Sequence, residues 1–543
     1  MKNVRIICRQ SRLSLLQAEL VKQKIILAEP FAEVQIIGRS SRGDRELTVP
    51  LSALDGTDFF TEEIFEALQN DEADIAVHSL KDMSAPHFFS HDAFAIVDRD
   101  DVRDVAIFNA NVMDKIMKGE TIVIGTCSPR REEMAVQFLK KALPQVGEIN
   151  IETKSIRGNV EGRLTQLHNG NYDATILATA GLNRLLKPIL NPSLGEGLGS
   201  TTINSGKQNF DSGLVHHLLS DKKLMLLPLI ECVPAPCQGA IVAEAHPSNK
   251  EAVELIKRIN DDALLNEAIA EKKKAFEYGT GCLQKFGVTI ITTKNGSHLY
   301  AAGEDNSGLA FQQWTNLPQL NMDEEQLFSS TDFMKDFFDY EWSNDEVVID
   351  KPVVFVANYK AVQKSSIDLG TYKSATQQKQ NSSTNAGNQK IILASGTKTW
   401  FELAKQGYWV TASADALGFE NLIPALQMPL LQMNAEDICI LTHQTAAERW
   451  KQKGFHAVAN YKLVAKNDAL IAEKISLAKH IFWTSFSQYE QYGKFAAYDA
   501  THICAGGETA SLLQQAGVEP VIFPTIKSFE QWRKSFIRSH SAA

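Results

Sequence analysis

Short apolar runs alternate with amphipathic stretches along the first half of the chain. The run VRIIC at 4–8 is followed by SRLSLLQAELVKQKIIL, in which apolar residues recur at helical spacing. The same alternation returns at EVQIIG, ADIAVHS, TIVIGT and DATILA. A buried strand followed by an amphipathic helix is the repeating unit of layered α/β folds. The pattern therefore predicts parallel or mixed sheets covered by helices.

Two polar stretches interrupt this pattern. Residues 186–221 are rich in Gly, Ser, Asn and Pro, which predicts an exposed loop inserted between elements. Residues 376–389, TQQKQNSSTNAGNQ, contain almost nothing to bury and predict a linker or mobile loop before a last α/β segment. A chain of 543 residues, at roughly 150 residues per domain, is expected to form three or four domains.

Charge and composition exclude several classes of protein. Lys and Arg number 55 against 65 Asp and Glu, a net charge of −10, so a broad surface for nucleic acid is not expected. No apolar run reaches the roughly eighteen residues of a membrane helix, and Arg9 interrupts the start before a signal sequence could form. Seven cysteines without a C-x-x-C pair favour buried thiols over a disulfide framework or zinc finger. We expect a cytosolic protein.

Polar and cationic side chains follow several predicted strands. They are Arg9 and Ser11 after the first strand, Thr126, Ser128, Arg130 and Arg131 after TIVIG, Arg157, Asn159 and Arg163 after 150–155, and Arg184 after DATILATAGL. Helix N-termini offer free N–H groups to anions, and guanidinium groups bind carboxylates bidentately. We expect one anion-binding cleft at the carboxyl edge of the sheets. The alternative is that these arginines are solvated surface charges.

Two further segments carry candidate chemistry. In HSLKDMS at 78–84, a carboxylate at Asp82 among cations would stay ionised and could stabilise positive charge on a substrate. The alternative is a surface ion pair between Lys81 and Asp82. In YGTGCLQKFG at 278–287, Cys282 follows two glycines in a tight loop, where a thiol can act as a nucleophile or remain inert.

Other catalytic motifs are missing from the sequence. GSTTINSGKQ has the wrong glycine spacing for a phosphate-binding loop and carries Gln208 where Ser or Thr is needed. No G-x-G-x-x-G, H-E-x-x-H or G-x-S-x-G follows a predicted strand in the required way. Nucleotide-dependent and hydrolase functions are therefore disfavoured.

Eight motifs, taken in order, resemble the porphobilinogen deaminase (hydroxymethylbilane synthase) family over residues 1–345. They are RQS at 9–11, RGD at 42–44, HSLKD at 78–82, GTCSPRR at 125–131, RGNVEGRL at 157–164, YDATILATAGLNRL at 172–185, PAPCQGA at 234–240 and GTGC at 279–282. The resemblance implies an α/β fold of two periplasmic-binding-protein-like domains, 1–98 with 226–247 and 99–225, and a small α+β domain at 248–345. It also implies a monomeric transferase that joins four porphobilinogen molecules head to tail with loss of ammonia.

The resemblance also implies roles for individual residues. Cys282 would carry a dipyrromethane cofactor through a thioether, and Asp82 would stabilise the cationic intermediates formed as ammonia leaves. Acetate and propionate groups would be held by Arg9, Ser11, Ser79, Lys81, Thr126, Ser128, Arg130, Arg131, Arg157, Asn159, Arg163 and Arg184. No metal is expected. The chain departs from the family at Ala53, Thr57 and Glu62, where lysines are usual.

The last part of the chain resembles a second family. Residues 399–418 and 480–524 are similar to uroporphyrinogen-III synthase, which implies an α/β region at 352–543 that cyclises hydroxymethylbilane. Thr484, Ser485, Gly506 and Thr509 would line its cleft. The alternative is a degenerate region that serves only stability or assembly.

A rival for the whole chain comes from a different class of protein. A non-enzymatic anion-binding protein with the same two-domain clamshell would need the arginines. It would need neither Cys282 nor Asp82.

Overall fold

The computed structural model describes residues 2–40, 62–187, 213–279, 284–320, 324–343, 347–363, 367, 369–370 and 390–541. Its strands are β1 Asn3–Arg9, β2 Glu33–Arg39, β3 Ile75–Ser79, β4 Phe94–Arg99, β5 Asp104–Phe108, β6 Ile122–Gly125, β7 Ile151–Lys154, β8 Ala174–Ala178, β9 Lys223–Leu226, β10 Ala240–Ala245, β11 Phe286–Thr293, β12 Gly296–Glu304, β13 Ala310–Trp314, β14 Leu327–Ser329, β15 Phe338–Trp342, β16 Val353–Val356, β17 Ile391–Ala394, β18 Val410–Ser413, β19 Ile438–His443, β20 His456–Ala465, β21 His480–Trp483, β22 Thr501–Ala505 and β23 Val521–Phe523.

The described α-helices are α1 Arg12–Ala28, α2 Glu62–Gln69, α3 Ala85–Phe88, α4 Val112–Lys118, α5 Val136–Ala142, α6 Val160–His168, α7 Thr179–Leu186, α8 Gly213–Leu219, α9 Lys250–Arg258, α10 Asp262–Tyr278, α11 Thr397–Lys405, α12 Ile423–Leu426, α13 Gln444–Gln452, α14 Ala469–Leu477, α15 Phe486–Tyr492, α16 Glu508–Gln515 and α17 Ile526–Ser541. The predicted mixed α/β class is confirmed, as are the strands predicted at VRIIC, EVQIIG, ADIAVHS, TIVIGT and DATILA. Where the residues are described, no helix has both the length and the apolar character needed to cross a membrane.

Two five-stranded sheets share one strand order. The first sheet runs β2-β1-β3-β10-β4, and the second runs β7-β6-β8-β5-β9. In each, three parallel strands are followed by two antiparallel pairings. The fourth strand of each sheet arrives from the other, because the chain crosses at 100–103 and returns at 227–239. Because of this exchange, residues that follow the carboxyl ends of β1 and β3 can lie close to residues that follow β6 and β8.

A smaller unit follows the return crossover. The three-stranded sheet β11-β12-β13 is antiparallel, and α10 packs on it through Ala275, which shares a core with Phe286 and Val288. Asp261 caps α10 by accepting hydrogen bonds from the N–H groups of Ala263 and Leu264. Cys282 lies just beyond α10, outside the described residues.

The C-terminal half forms two more sheets. A six-stranded sheet runs β15-β20-β19-β16-β17-β18, and a four-stranded sheet runs β14-β21-β22-β23. The structure corrects one expected boundary here. Residues 327–342, assigned from sequence to the small domain at 248–345, supply β14 and β15, which pair with β21 and β20 of the C-terminal half.

The second sheet shares its core with the six-stranded sheet. One cluster joins Phe108 and Ile176 to Val354 and Trp400, and a cluster on the other face joins Val105, Ile107 and Leu177 to Phe355 and Leu393. The edge strands β9 and β18 lie next to each other. These continuous cores make the C-terminal half part of the same packed body as the second sheet.

Part of the predicted insertion is ordered structure. Residues 213–219 form α8, and Val215 and Leu218 of this helix are buried against the second sheet's core. The prediction of an exposed loop throughout 186–221 is therefore wrong for this part. Residues 188–212, the polar stretch 376–389, and Ala53 and Thr57 lie outside the described residues.

The described cysteines are free thiols. Cys8, Cys232, Cys237, Cys439 and Cys504 are buried, and Cys127 is half-buried. Burial raises the pKa of Cys8 and of Cys504 to about 12. The predicted buried, inert thiols are confirmed for these five residues.

Candidate active site between the first and second sheets

Lys81 and Asp82 lie in a single 3-10 turn, Leu80–Asp82, directly after β3. Leu80 is buried and anchors this turn to the first sheet. Burial lowers the pKa of the Lys81 ammonium, the neighbouring Asp82 and Asp104 raise it, and Arg131 and Arg130 lower it further. Lys81 of the first sheet therefore lies within electrostatic reach of the charged groups of the second.

Arg130 and Arg131 are buried around the carboxylate of Asp104. Arg130 donates from Nη2 to Asp104 Oδ2 at 2.8 Å and from Nη1 to the Val233 carbonyl at 2.6 Å. Arg131 donates from Nη2 to Asp104 Oδ1 at 2.8 Å and from Nη1 to the Ile176 carbonyl at 3.0 Å. Gln238 also donates to Asp104 Oδ1, at 2.9 Å. Although burial opposes ionisation, the two guanidinium groups hold the pKa of Asp104 well below its usual range.

This network corrects part of the sequence interpretation. Arg130 is a structural group, because its two terminal nitrogens bind a carboxylate and a backbone carbonyl inside the protein. Arg131 keeps a buried Nε that makes no hydrogen bond to any described residue. A buried N–H of this kind is costly without a partner, so Arg131 is the better candidate of the two for an incoming anion.

A second group of cations follows β7. Arg163 donates from Nε to the Gly158 carbonyl at 2.9 Å, and its Nη2 lies 3.9 Å from Sγ of Cys127. Burial lowers the pKa of Arg163, and the nearby charges of Arg131 and Arg157 lower it further. Because Arg131 and Arg157 both lower the pKa of Arg163, these three predicted arginines lie close to one another.

Several predicted polar residues hold the local backbone. Ser11 caps α1 by accepting the N–H of Ser14 at 3.3 Å, and Asn159 caps α6 by accepting the N–H of Gly162 at 2.8 Å. The Thr126 hydroxyl accepts the N–H of Ser128 at 3.2 Å. The Ser79 hydroxyl accepts from the Gln17 amide at 3.0 Å. These side chains shape the strand ends that carry the cations.

Arg184 connects the two sheets. From α7 it donates from Nη2 to Asp98 Oδ2 on β4 at 2.8 Å and to the Gly239 carbonyl at 2.6 Å. The expectation of an open anion receptor is therefore corrected for Arg184 as well. Its buried Nε makes no hydrogen bond to a described residue.

Sequence reasoning missed the carboxylates that organise these arginines. Asp104 begins β5, a strand whose other residues are all apolar, and a charge in such a run is a signal that could have been used. Gln238 stood in the motif PAPCQGA but had no role assigned. Asp98 had no signal, since its contact with Arg184 spans 86 positions.

The C-terminal residues predicted to line a cleft have local partners. Gln488 Oε1 accepts hydrogen bonds from the Thr484 N–H at 3.1 Å and the Thr484 hydroxyl at 2.7 Å. Ser485 and Gln488 form the capping box of α15. Gly506 donates its N–H to the Phe523 carbonyl at 2.8 Å. Thr484 and Ser485 therefore stabilise the first turn of α15 and remain half-buried; that they line a cleft stays a prediction.

A hairpin from the first half reaches the same region. The turn between β11 and β12 carries Lys294, which donates to the Ser511 hydroxyl on α16, and Asn295, which lies beside Gly506. Nδ2 of Asn295 is buried and has no hydrogen-bond partner among the described residues. The small unit thus adds polar side chains to the face of the four-stranded sheet.

Comparison with known proteins identifies relatives of the first half. A family model for the porphobilinogen deaminase dipyrromethane cofactor binding domain matches residues 4–254. A porphobilinogen deaminase of Coxiella burnetii is 33% identical over 306 residues, covering 55% of this chain and 83% of that protein. A probable porphobilinogen deaminase of Saccharolobus islandicus is 32% identical over 305 residues, covering 56% of this chain and 87% of that protein.

Solved structures give weaker likenesses. One is the substrate binding protein of an amino acid ABC transporter, 13% identical, covering 51% of this chain and 99% of that one at a TM-score of 0.24. Another is an arginine transport system periplasmic binding protein from Legionella pneumophila, 14% identical, with the same coverage and TM-score. Likenesses this low carry no weight beside the sheet order described above.

Proposed function

The chain belongs to the porphobilinogen deaminase family, and from this premise we propose that its first half is a hydroxymethylbilane synthase. It condenses four porphobilinogen molecules head to tail, releases one ammonia at each condensation, and frees the linear tetrapyrrole by hydrolysis. The observation that carries the proposal is the meeting of Lys81 and Asp82 from the first sheet with the arginine and Asp104 network of the second.

The cations suit a substrate that gains carboxylates with every condensation. Arg131 with its unpartnered Nε, together with Arg157 and Arg163, can bind acetate and propionate groups. Fixed donors position each new pyrrole against the growing chain, and positioning lowers the entropic part of the barrier. Arg9 and Lys81 extend the same charge along the first sheet.

Asp82 is proposed as the catalytic carboxylate. Loss of ammonia from the aminomethyl group leaves positive charge on the substrate, and a carboxylate beside the pyrrole N–H stabilises that charge. Lys81 neighbours Asp82 in the same turn, and the charges of Arg130, Arg131 and Asp104 act on that lysine. Asp82 therefore serves as a fixed negative charge in a cationic site.

The family model is that of a dipyrromethane cofactor binding domain, and the site fits such a group. Dipyrromethane supplies the primer on which condensation begins. Its carboxylates would be held by Arg131 and by the buried cations near Cys127. We propose that Cys282 bears it through a thioether.

The attachment is tested by intact mass and Ehrlich reagent on three forms of the full chain. The parent and a Cys127→Ser variant, which changes a half-buried thiol near Arg163, are expected to carry a dipyrromethane mass and to colour. A Cys282→Ser variant should do neither. An unmodified parent, even after supply of porphobilinogen or hydroxymethylbilane, would support the non-enzymatic anion-binding alternative.

Asp82→Asn tests the catalytic role separately. We expect a folded protein that keeps its cofactor mass and loses at least about 10²-fold in kcat, the scale of one lost electrostatic contact to a transition state. Asp92→Asn, at an exposed carboxylate of the same unit, is the matched control. Near-normal tetrapyrrole formation by Asp82→Asn would remove Asp82 from the mechanism.

A second activity, cyclisation of hydroxymethylbilane to uroporphyrinogen III, is proposed for the C-terminal half. The supporting observation is the buried Nδ2 of Asn295 beside Gly506, which has no hydrogen-bond partner among the described residues. A substrate carboxylate could accept a hydrogen bond from this amide. The full-length Asp82→Asn variant can be fed hydroxymethylbilane so that only the C-terminal half is assayed. Uroporphyrin III after oxidation supports the activity, whereas uroporphyrin I alone would leave the half a role in stability.

A further inference from the structure

Three histidines surround one buried glutamate in the first domain. This His–Glu cluster consists of His78 on β3, His87 on α3, His91 in the segment before β4, and Glu244 on β10. Nε2 of His87 lies 2.7 Å from Glu244 Oε1, and Nε2 of His91 lies 3.3 Å from the same oxygen. Nε2 of His78 lies 3.3 Å from Glu244 Oε2. His87 and His91 therefore approach one oxygen of the Glu244 carboxylate, and His78 approaches the other.

The donor set suits a transition metal. One ligand atom each from His87, His91 and Glu244 can be chosen so that all three lie within 4.8 Å of one another. Bonds of about 2.0–2.2 Å in a tetrahedral site place neighbouring ligand atoms about 3.4 Å apart. Nε2 of His91 already lies 3.3 Å from Glu244 Oε1, and Nε2 of His87, at 2.7 Å, would have to move outward to admit the ion. Two imidazoles and one carboxylate form a ligand set used by zinc and by other divalent transition metals, with positions left open for water.

Several polar atoms of the cluster lack partners. Nε2 of His78, Nε2 of His91 and Oε2 of Glu244 are buried and make no geometrically acceptable hydrogen bond to any described residue. The side chains of His78 and Glu244 are only 3% and 1% exposed. Buried polar atoms in folded proteins are almost always satisfied, so this concentration points to a missing partner.

Aromatic rings hold the imidazoles in place. Phe94 stacks on His91 at 4.3 Å between ring centres, and Phe65 packs its edge against His87 at 4.7 Å. The side chains of His87 and His91 keep 16% and 13% of their surface exposed, which leaves an ion a way in from solvent. Rigid ligands with a solvent-facing side favour binding, because little conformational freedom is lost.

We propose that the His–Glu cluster binds one divalent transition-metal ion of the zinc type, with His87, His91 and Glu244 as ligands. His78 lies behind the site, with its Nε2 3.3 Å from the other oxygen of the Glu244 carboxylate, the position from which an outer group orients a metal-bound carboxylate. Water completes the coordination. The ion would tie α3, which closely follows the Lys81–Asp82 turn, to the interior strand β10.

His91 is the ligand that changes most on binding. Its Nδ1 accepts the N–H of Ala93 at 3.2 Å, so in the metal-free protein the ring proton lies on Nε2. Coordination through Nε2 requires that proton to move to Nδ1 and the ring to turn away from Ala93. The long hydrogen bond from Ala93 is exchanged for a coordinate bond.

The test uses the full-length chain freed of metal by a chelator and then titrated with Co²⁺, followed by competition with Zn²⁺. We expect one equivalent of Co²⁺ to give visible ligand-field absorption, Zn²⁺ to abolish it, and either ion to raise Tm. His87→Gln and His91→Gln should each weaken binding by at least about 10-fold, on the scale of lost metal-site contacts. His216→Gln, an exposed histidine on α8, is the matched control.

Circular dichroism is used to check that His87→Gln and His91→Gln fold. Either folded variant is sufficient for comparing metal affinity with that of the parent. The proposal is overturned if the parent binds no stoichiometric ion, or if the folded variants bind as tightly as the parent. In that case the histidines only neutralise a buried carboxylate. Because these readouts need neither porphobilinogen nor cofactor, their failure is distinguishable from failure of the proposed enzymatic function.

Discussion

The first and second sheets share a strand order but differ in what covers them. The core of the first sheet, with Ile6, Val77 and Ile241, is closed by α1 and α9 of the same unit. The second sheet continues on both faces into the C-terminal half. Two units of one topology therefore differ in independence, since the second sheet buries apolar surface that only the C-terminal half can cover.

The edge strand β9 explains part of this difference. An open edge strand presents unpaired backbone groups, which proteins commonly cover. Trp409 of the C-terminal half donates its indole N–H to the Leu224 carbonyl on β9 at 3.1 Å, and its ring packs edge-on against Phe108 at 5.3 Å. The C-terminal half thus covers the edge with both a hydrogen bond and apolar surface.

The C-terminal half also reaches the crossover between the sheets. Asp415 lies 3.6 Å from Arg103 in the first crossover. Asn183 donates to Asp100 Oδ1 at 2.7 Å and accepts the N–H of Leu430 at 3.2 Å. Contacts at the crossover mean that docking of the C-terminal half can restrict how far the two sheets open.

Trp400→Ala should break the shared core and gives the largest expected effect. Trp400 is fully buried, donates to the Ala142 carbonyl at 3.1 Å and packs on Phe138 at 5.1 Å. Removing a buried aromatic ring costs about 3–5 kcal/mol. Chemical denaturation followed by deaminase activity and by circular dichroism should report one transition at lower denaturant.

The matched control lies in the first sheet's unit. Phe31 is 83% exposed, so Phe31→Ala should change the free energy of unfolding by less than about 0.5 kcal/mol. If Trp400→Ala left deaminase activity unshifted while a separate C-terminal transition moved, the two halves would be independent. The second sheet would then not depend on the C-terminal half for its stability.

The spacing of apolar residues predicted strands and helices of both sheets, because the burial of a strand or helix leaves a periodic pattern in its own sequence. β1 and α1 follow from VRIIC and the amphipathic stretch after it. The pairing of β14 with β21 could not be predicted, because a three-residue strand such as Leu327–Ser329 carries too little pattern and its partner begins at His480. Tertiary contact assigned those residues to the C-terminal half.

The same limit applies to the candidate site. The strand ends carrying Lys81, Arg131 and Arg163 were predictable, because cations at such positions have a recognisable chemistry. The commitment of Arg130 to Asp104 and of Arg184 to Asp98 was not predictable, since Asp104 lies on the exchanged strand β5 and Asp98 lies on β4 of the other sheet. The His–Glu cluster was also missed, because His87 and Glu244 are 157 positions apart.

The pH dependence of the free energy of unfolding tests the contact of Asp415 with Arg103 at the crossover. Burial raises the pKa of Asp415 from 3.8 to about 6, although Arg103 opposes the rise. The folded state therefore holds the proton more tightly than the unfolded state. The stabilisation is complete below about pH 4 and is lost as the pH rises to about 6, a linkage of at most about 3 kcal/mol.

Asp415→Asn should remove this dependence while keeping the backbone. Asp415 has a φ of 52°, a conformation that Asn also adopts readily. The free energy of unfolding of Asp415→Asn minus that of the parent should rise between about pH 4 and pH 6.5. Asp92→Asn controls for the loss of one formal charge. A difference that stays constant across this range would mean that Asp415 is not buried at the crossover.

Lys527→Ala should have the smallest effect, and it tests whether charge or apolar contact joins the halves. Lys527 lies 3.5 Å from Glu231 in the return crossover, with 40% and 30% of the two side chains exposed. Exposed pairs of this kind contribute about 0–1 kcal/mol, and ~1 M salt screens them within about 3 Å. The free energy of unfolding of the variant should therefore lie within about 1 kcal/mol of that of the parent. Added salt should remove even that difference.

A larger, salt-sensitive loss of stability would mean that the crossover charges, and not the core around Trp400, hold the two halves together. If the loss stays small, the dependence of the second sheet on its neighbour rests on buried apolar surface, which salt does not weaken.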